Sequence, residues 1–186
     1  MMEQLLSRAS AGTLQDPGPD EAALQRILAA AVRAPDHGKL RPWKFVVIRG
    51  EGRRRMSELF VESLLLRNPD AVAAQIEKER AKPLRAPVTV MVVAKVMEGH
   101  KIPVIEQVIS AGAAAMNILN AAHFLGFGAK WVTGENCYDA HFRARAGLDP
   151  ADQVVGFIHL GSLPPGASGQ PETPRPDASY YTVEYY

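Results

Sequence analysis

Ala34-Pro35-Asp36-His37-Gly38-Lys39-Leu40-Arg41-Pro42-Trp43-Lys44-Phe45-Val46-Val47-Ile48 decides how this chain is read, because a proline-bounded polar loop runs without a spacer into an aromatic and β-branched strand. Pro35 and Pro42 fix φ at both ends and bias Ala34 and Arg41 toward extended geometry, while Gly38 supplies a permissive position between them. Asp36, His37, Lys39 and Arg41 crowd the loop with charges and donors that a plain connector does not need. The stretch therefore reads equally as a solvated turn and as a ligand loop mounted on a strand.

Upstream, residues 2–8 read as a short helix. Asp16-Pro17-Gly18-Pro19 is a turn that puts Pro19 at the first position of a second helix, with Asp20 and Glu21 at its positive end. Leu24, Ile27, Leu28 and Ala31 recur there at helical spacing. Downstream, residues 43–49 form the first strand, and helices follow at 53–66 and 69–81, split by Asn68-Pro69. Residues 87–94 are a nearly continuous apolar run, the mark of a strand buried on both faces. The longest helix, 104–125, carries Ser110-Ala111-Gly112-Ala113-Ala114-Ala115, a small-residue face suited to helix packing or to a flat ring. Gly126 and Gly128 stop it; a strand at 129–133, a helix at 139–146 and a strand at 153–160 complete the pattern. Residues 161–177 are rich in proline and glycine and lead to Tyr180-Tyr181-Thr182-Val183-Glu184-Tyr185-Tyr186, a strand-like end. Such a stiff arm suits wrapping around a second subunit.

With 186 residues, the chain reads as one domain over 1–186 that builds its core without disulfides or metals. Its 21 basic and 20 acidic side chains leave a net charge of +1, which points to neither nucleic acid nor membrane as partner. Arg53-Arg54-Arg55 reads as the solvated start of a helix. Cys137, the single cysteine, excludes an internal disulfide, reads as packing and fits a reducing cytoplasm. No signal peptide or spanning segment is evident. Gly126-x-Gly128 fails as a dinucleotide fingerprint, since Trp131 stands where the third glycine belongs and a helix precedes the pair. His37, His100, His123, His141 and His159 are scattered without metal-ligand spacing, and His123 and His159, inside apolar elements, read as structural.

Three motifs in order resemble the nitroreductase family. Pro35 and Pro42-Trp43-x-Phe45 are similar to its flavin loop, Arg8-Ala9-Ser10 stands where the family usually reads Arg-Arg-Ser, and the third motif runs from Gly126 to Gly134. The compact YdjA-type NAD(P)H nitroreductases also share the Arg-Ala-Pro-Asp-His at 33–37, the Arg-Ala-Pro at 85–87, the Ser-Ala-Gly at 110–112, and Val-Gly-Phe ahead of Leu-Gly at 155–161. The resemblance implies an α+β fold with a central mixed, mainly antiparallel sheet flanked by helices. It further implies a homodimer in which residues 161–186 pack on the partner, FMN as cofactor, NADH or NADPH as donor, and a nitroaromatic or quinone-like small-molecule acceptor.

A bound flavin needs an anion clamp, hydrogen bonds around its pyrimidine edge and a donor near N5. By the resemblance, Arg8, Ala9 and Ser10 hold the phosphate, and Arg33 and His37 contact the flavin of their own or the partner subunit. Trp131-Val132-Thr133-Gly134 passes the ring, with an N–H of Thr133 or Gly134 toward N5. Ala9 and Gly12 replace basic residues of the family, and Arg175 is a substitute from the tail. Lys39 and Arg41 stand where many members have asparagine and glutamine, so the loop is more cationic; Arg8, Arg33 or Lys39 would face the charge of the reduced ring. The implied turnover is ping-pong at one flavin face. The alternatives are a flavin-binding or sequestering protein with little turnover, or another reaction of the superfamily such as reductive dehalogenation or flavin fragmentation.

Overall fold

The computed structural model describes residues 2–167 and 177–184. It places β1 (Trp43–Arg49), β2 (Val88–Ala94), β3 (Gly128–Val132) and β4 (Gln153–Gly161) in one sheet of order β1-β2-β4-β3. Every pairing is antiparallel, so the mixed sheet expected from sequence is not found among the described residues. A parallel member would have to come from beyond these four strands. The tail, expected to end in a strand-like segment, forms instead a 3-10 turn at Ala178–Tyr181 in its described part, where Asp177 accepts from Ser179 N at 2.8 Å. Tyr185, Tyr186 and Arg175 lie outside the described residues.

All seven residues of β2 are buried, as its unbroken apolar run predicts for a central strand covered on both faces. On one face lie α2 (Glu21–Ala31) and α5 (Val104–Phe124), whose Leu24, Ile27, Ala114 and Ile118 pack against Val88, Val90, Val92, Ile158 and Leu160. The small-residue run of α5 serves packing here: Ala111, Ala114 and Ala115 are buried, and Asn117 Nδ2 donates to Ala30 O of α2 at 3.1 Å. On the other face lie α3 (Glu51–Arg67), α4 (Ala73–Ala81) and the short α6 (Glu135–Tyr138) and α7 (Ala140–Arg145). Phe60, Phe142 and Phe157 meet edge to face there, with centroids 5.3 to 6.0 Å apart. A first helix, Met2–Ser7, lies against α5.

Three local expectations change. Asp20, not Pro19, opens α2, because its carboxylate accepts from Ala23 N at 2.8 Å and so takes the N-cap. Residues 69–72 are not helical; α4 starts at Ala73, with Gln75 Oε1 accepting from Val72 N at 3.0 Å. Asp139 likewise caps α7 through Phe142 N, at 2.6 Å, rather than belonging to the helix. Among the described residues no helix is long and apolar enough to cross a membrane.

Candidate functional site

β3 is an edge strand whose two ends carry different chemistry. Near its start, Ala129 O accepts at 2.9 Å from the N–H of Ala11, the residue directly after Arg8-Ala9-Ser10. Four residues further on, roughly 13 Å at strand rise, Val132, Thr133 and Gly134 open into a cavity of about 170 Å³. Trp131 turns to the opposite face, since successive strand side chains alternate. Its Nε1 donates to Val155 O at 3.3 Å, and a Cβ on Gly156 would collide with the indole. β4 carries its extra residue here, because Val92 pairs with Gly156 and Val93 with Val154. Trp131 thus anchors the strand in the core, outside the cavity lining.

The cavity has an apolar wall of Met56, Phe60 and Phe157 and a polar rim of Lys82, Arg85, Asn136 and His159. Lys82 Nζ donates to Glu79 Oε2 at 2.5 Å, and Asn136 Nδ2 donates to Glu79 Oε1 at 2.7 Å. Arg67 reaches Asn136 Oδ1 at 3.1 Å and Asp139 Oδ2 at 2.7 Å. His159 Nδ1 lies 2.8 Å from Thr89 Oγ1; burial, aided by the nearby Arg85 and Lys130 cations, lowers its pKa to about 4, so the ring is neutral at pH 7. In front of Gly134 a Cβ would meet nothing within 4 Å, which leaves the backbone open to a flat group. The lining offers cations, amide donors and apolar surface, but no aspartate, glutamate or cysteine among the residues that form it. Such a set suits binding and charge stabilisation of an electron-rich ring.

The expected site residues divide into two groups. Val132, Thr133 and Gly134 line the cavity, and Arg8, Ala9 and Ser10 directly precede Ala11, whose N–H binds the start of the same strand. Arg33 instead lines an open apolar groove of about 640 Å³ with residues of α2, α5 and the first helix, on the other side of the sheet. His37 Nδ1 lies 2.5 Å from Glu106 Oε2 on α5, and Lys39 is exposed. Arg41, expected to be extended before Pro42, has φ of +52°, because Asp36 Oδ2 accepts its N–H at 2.8 Å and outweighs the steric bias. Sequence reading missed Lys82, Arg85, Asn136, Met56 and Phe60 as lining residues, and it assigned His159 to structure alone. One signal was present: Lys82-Pro83-Leu84-Arg85, two cations around a proline directly before a buried strand, repeats the character of the opening loop.

The Nitroreductase family model matches residues 5–162. The chain belongs to the nitroreductase family. It is 41% identical over 175 residues to a protein of Escherichia coli K12 named "Putative NAD(P)H nitroreductase YdjA", covering 94% of each chain. Its fold is that of the family: a nitroreductase-like protein from Bacillus cereus superposes with a TM-score of 0.81 at 22% identity, over 99% of this chain and 95% of the other. A Bacteroides fragilis nitroreductase solved with bound FMN gives 0.74 at 21% identity, over 99% and 98%. The central α+β architecture expected from the motifs is therefore established.

Proposed function

We propose that this nitroreductase-family protein binds FMN and acts as an NAD(P)H-dependent oxidoreductase on nitroaromatic or quinone-like acceptors, as a homodimer. The observation that carries the reading is the arrangement along β3: the cavity of Val132-Thr133-Gly134 with Lys82 and Arg85 at its end, and at its start the Ala129 carbonyl bonded to Ala11, directly after Arg8-Ala9-Ser10. That spacing fits a ligand with an anionic tail and a flat, polar-edged ring. FMN, when bound, supplies the chemistry, carrying two electrons between a nicotinamide donor and an acceptor. The chain's own residues do the rest. Arg8 and Ser10 hold the phosphate by charge-assisted hydrogen bonds. The Thr133 or Gly134 N–H meets the ring, Lys82 and Arg85 offset its negative charge on reduction, and Met56, Phe60 and Phe157 exclude water.

Two observations support the dimer. The cavity is smaller than the ~300–1,000 Å³ of complete small-molecule sites, which fits a further wall from a second copy. Helix α5 keeps Ile105 and Ile109 more than 60% exposed near its start, and towards its end it lines an apolar groove with Met2, Leu5 and Phe124. In the dimer, Arg33, His37 and Lys39 of one copy serve the flavin of the other; the arm expected of the tail of this single-domain subunit lies in part outside the described residues. A single cysteine suits the cytoplasm.

An absorbance spectrum followed by anaerobic NADPH tests the reading. Yellow protein that bleaches within a catalytic time is expected, with parallel initial-rate lines at varied acceptor. Colour that persists would leave a flavin binder without turnover, and protein that takes up no FMN would overturn the assignment. Intersecting lines with a ternary complex would remove the ping-pong scheme.

A further inference from the structure

Glu79 is the hub of the hydrogen bonds around the cavity. It sits in the last turn of α4 and is only 7% exposed. Its two oxygens accept from Lys82 and from Asn136, lining residues that belong to different elements. A buried carboxylate needs such partners to offset its lost hydration. Here, however, the partner cation is also a cavity residue: the Lys82 side chain is 32% exposed. Asn136 passes the connection to Arg67, which holds the Asp139 cap of α7, so α3, α4, α6 and α7 are tied to the same oxygens.

We propose that Glu79 is a positioning and charge-setting residue for the cavity: it fixes the Lys82 ammonium at the wall and cancels part of its field on a bound ring. This rests on the FMN reading. A lone ammonium beside the ring favours the reduced, anionic form through Coulomb attraction, whereas an ammonium–carboxylate pair 2.5 Å apart presents a dipole whose field weakens faster with distance. Glu79 thereby keeps the cofactor from being held too firmly in its reduced state to pass electrons on.

The test compares the two-electron midpoint of FMN in holoprotein, equilibrated anaerobically against a reference dye, in wild type, Glu79→Gln and Lys82→Gln. Glutamine keeps an oxygen for Asn136 but carries no charge against Lys82. Glu79→Gln is expected to bind oxidised FMN about as wild type does and reduced FMN about tenfold more tightly, a rise of about 30 mV for a two-electron couple. Lys82→Gln is expected to lower the midpoint. Unchanged midpoints, or shifts of the same sign in both variants, would reduce Glu79 to a fold clip and overturn the proposal. Should Glu79→Gln fail to fold, Lys82→Gln alone decides, an unshifted midpoint being the adverse result. Wild-type protein that binds no FMN would instead overturn the flavin reading, before any variant is compared.

Discussion

The cavity wall and the Pro35–Pro42 loop are both rich in charge, yet they are held in opposite ways. In the wall, Glu79, Asn136, Arg67 and Asp139 satisfy one another within the chain, and the elements that carry them have ordinary backbone geometry. In the loop, Gly38, Lys39 and Arg41 have φ of +72°, +58° and +52°. Two of these are non-glycine residues in the left-handed region, a strain of about 1–3 kcal/mol each. Asp36 imposes it by accepting from Leu40 N at 3.1 Å and Arg41 N at 2.8 Å, while the Lys39 and Arg41 side chains remain exposed. The wall's shape follows from its own contacts; the loop's shape presents two cations outward. That difference is what a ring site shared between two copies would require.

The largest expected effect tests the wall through acid. His159 has its pKa lowered from 6.5 to about 4 in the fold, so on acidification the unfolded chain takes up the proton first. Its contribution is therefore complete above about pH 6.5 and is lost between there and about pH 4, amounting to about 3 kcal/mol at 1.36 kcal/mol per pH unit. His159→Gln should lose correspondingly less. Urea midpoints of both proteins at pH 7 and pH 4.5 decide it; parallel losses would mean that the buried neutral imidazole does not govern the acid response of this face.

The next effect concerns the strand edge. Arg8→Ala should weaken FMN binding by about 1.5–3 kcal/mol, as expected for lost hydrogen bonds to a charged group, and Ser10→Ala by less. Equal affinity of Arg8→Ala and wild type in a fluorescence titration would reassign Arg8 to packing at the end of the first helix. The loop should respond on a smaller scale. Asp36→Ala removes two hydrogen bonds but also releases the strained turn, so the two terms largely offset one another. Faster tryptic cleavage after Lys39, with little change in melting temperature, is the expected signature. Unaltered cleavage would show that the turn holds itself.

These regions were also unequally legible in the sequence. The apolar run of β2 and the helical spacing of Leu24, Ile27, Leu28 and Ala31 in α2 announced themselves because burial writes a pattern over many residues. Four residues are too few for such a pattern, so α6 went unseen. Arg41 was misread because a tether from Asp36, five positions away, overrides a nearest-neighbour rule. Lys82 follows the helix expected at 69–81 and belongs to none of the three motifs; it joins a cavity only when the turn before β2 folds against the end of β3. Trp131 carried the right motif, but Gly156 gives its indole a seat on the other side of the sheet. A pattern within one element is readable from sequence, whereas a site assembled from five elements is not.

The smallest expected effect separates proximity to the cavity from participation in it. Cys137 follows the cavity residue Asn136 directly in α6, but it is buried at 3% exposure among Met91, Val93, Phe142 and Phe157. Burial pushes its thiol pKa up, outweighing the bond to Gly134 and the distant attraction of Lys82, so at pH 7 it is neither a nucleophile nor a charge that a ring would feel. Cys137→Ser should therefore leave turnover within about twofold, the hydroxyl being a modest polar intrusion into an apolar cluster. Iodoacetamide should label the native protein slowly and the urea-unfolded protein fully. Rapid native labelling, or a large loss of turnover in the serine variant with FMN still bound, would bring the thiol into the site and extend the wall's network by one residue toward α7.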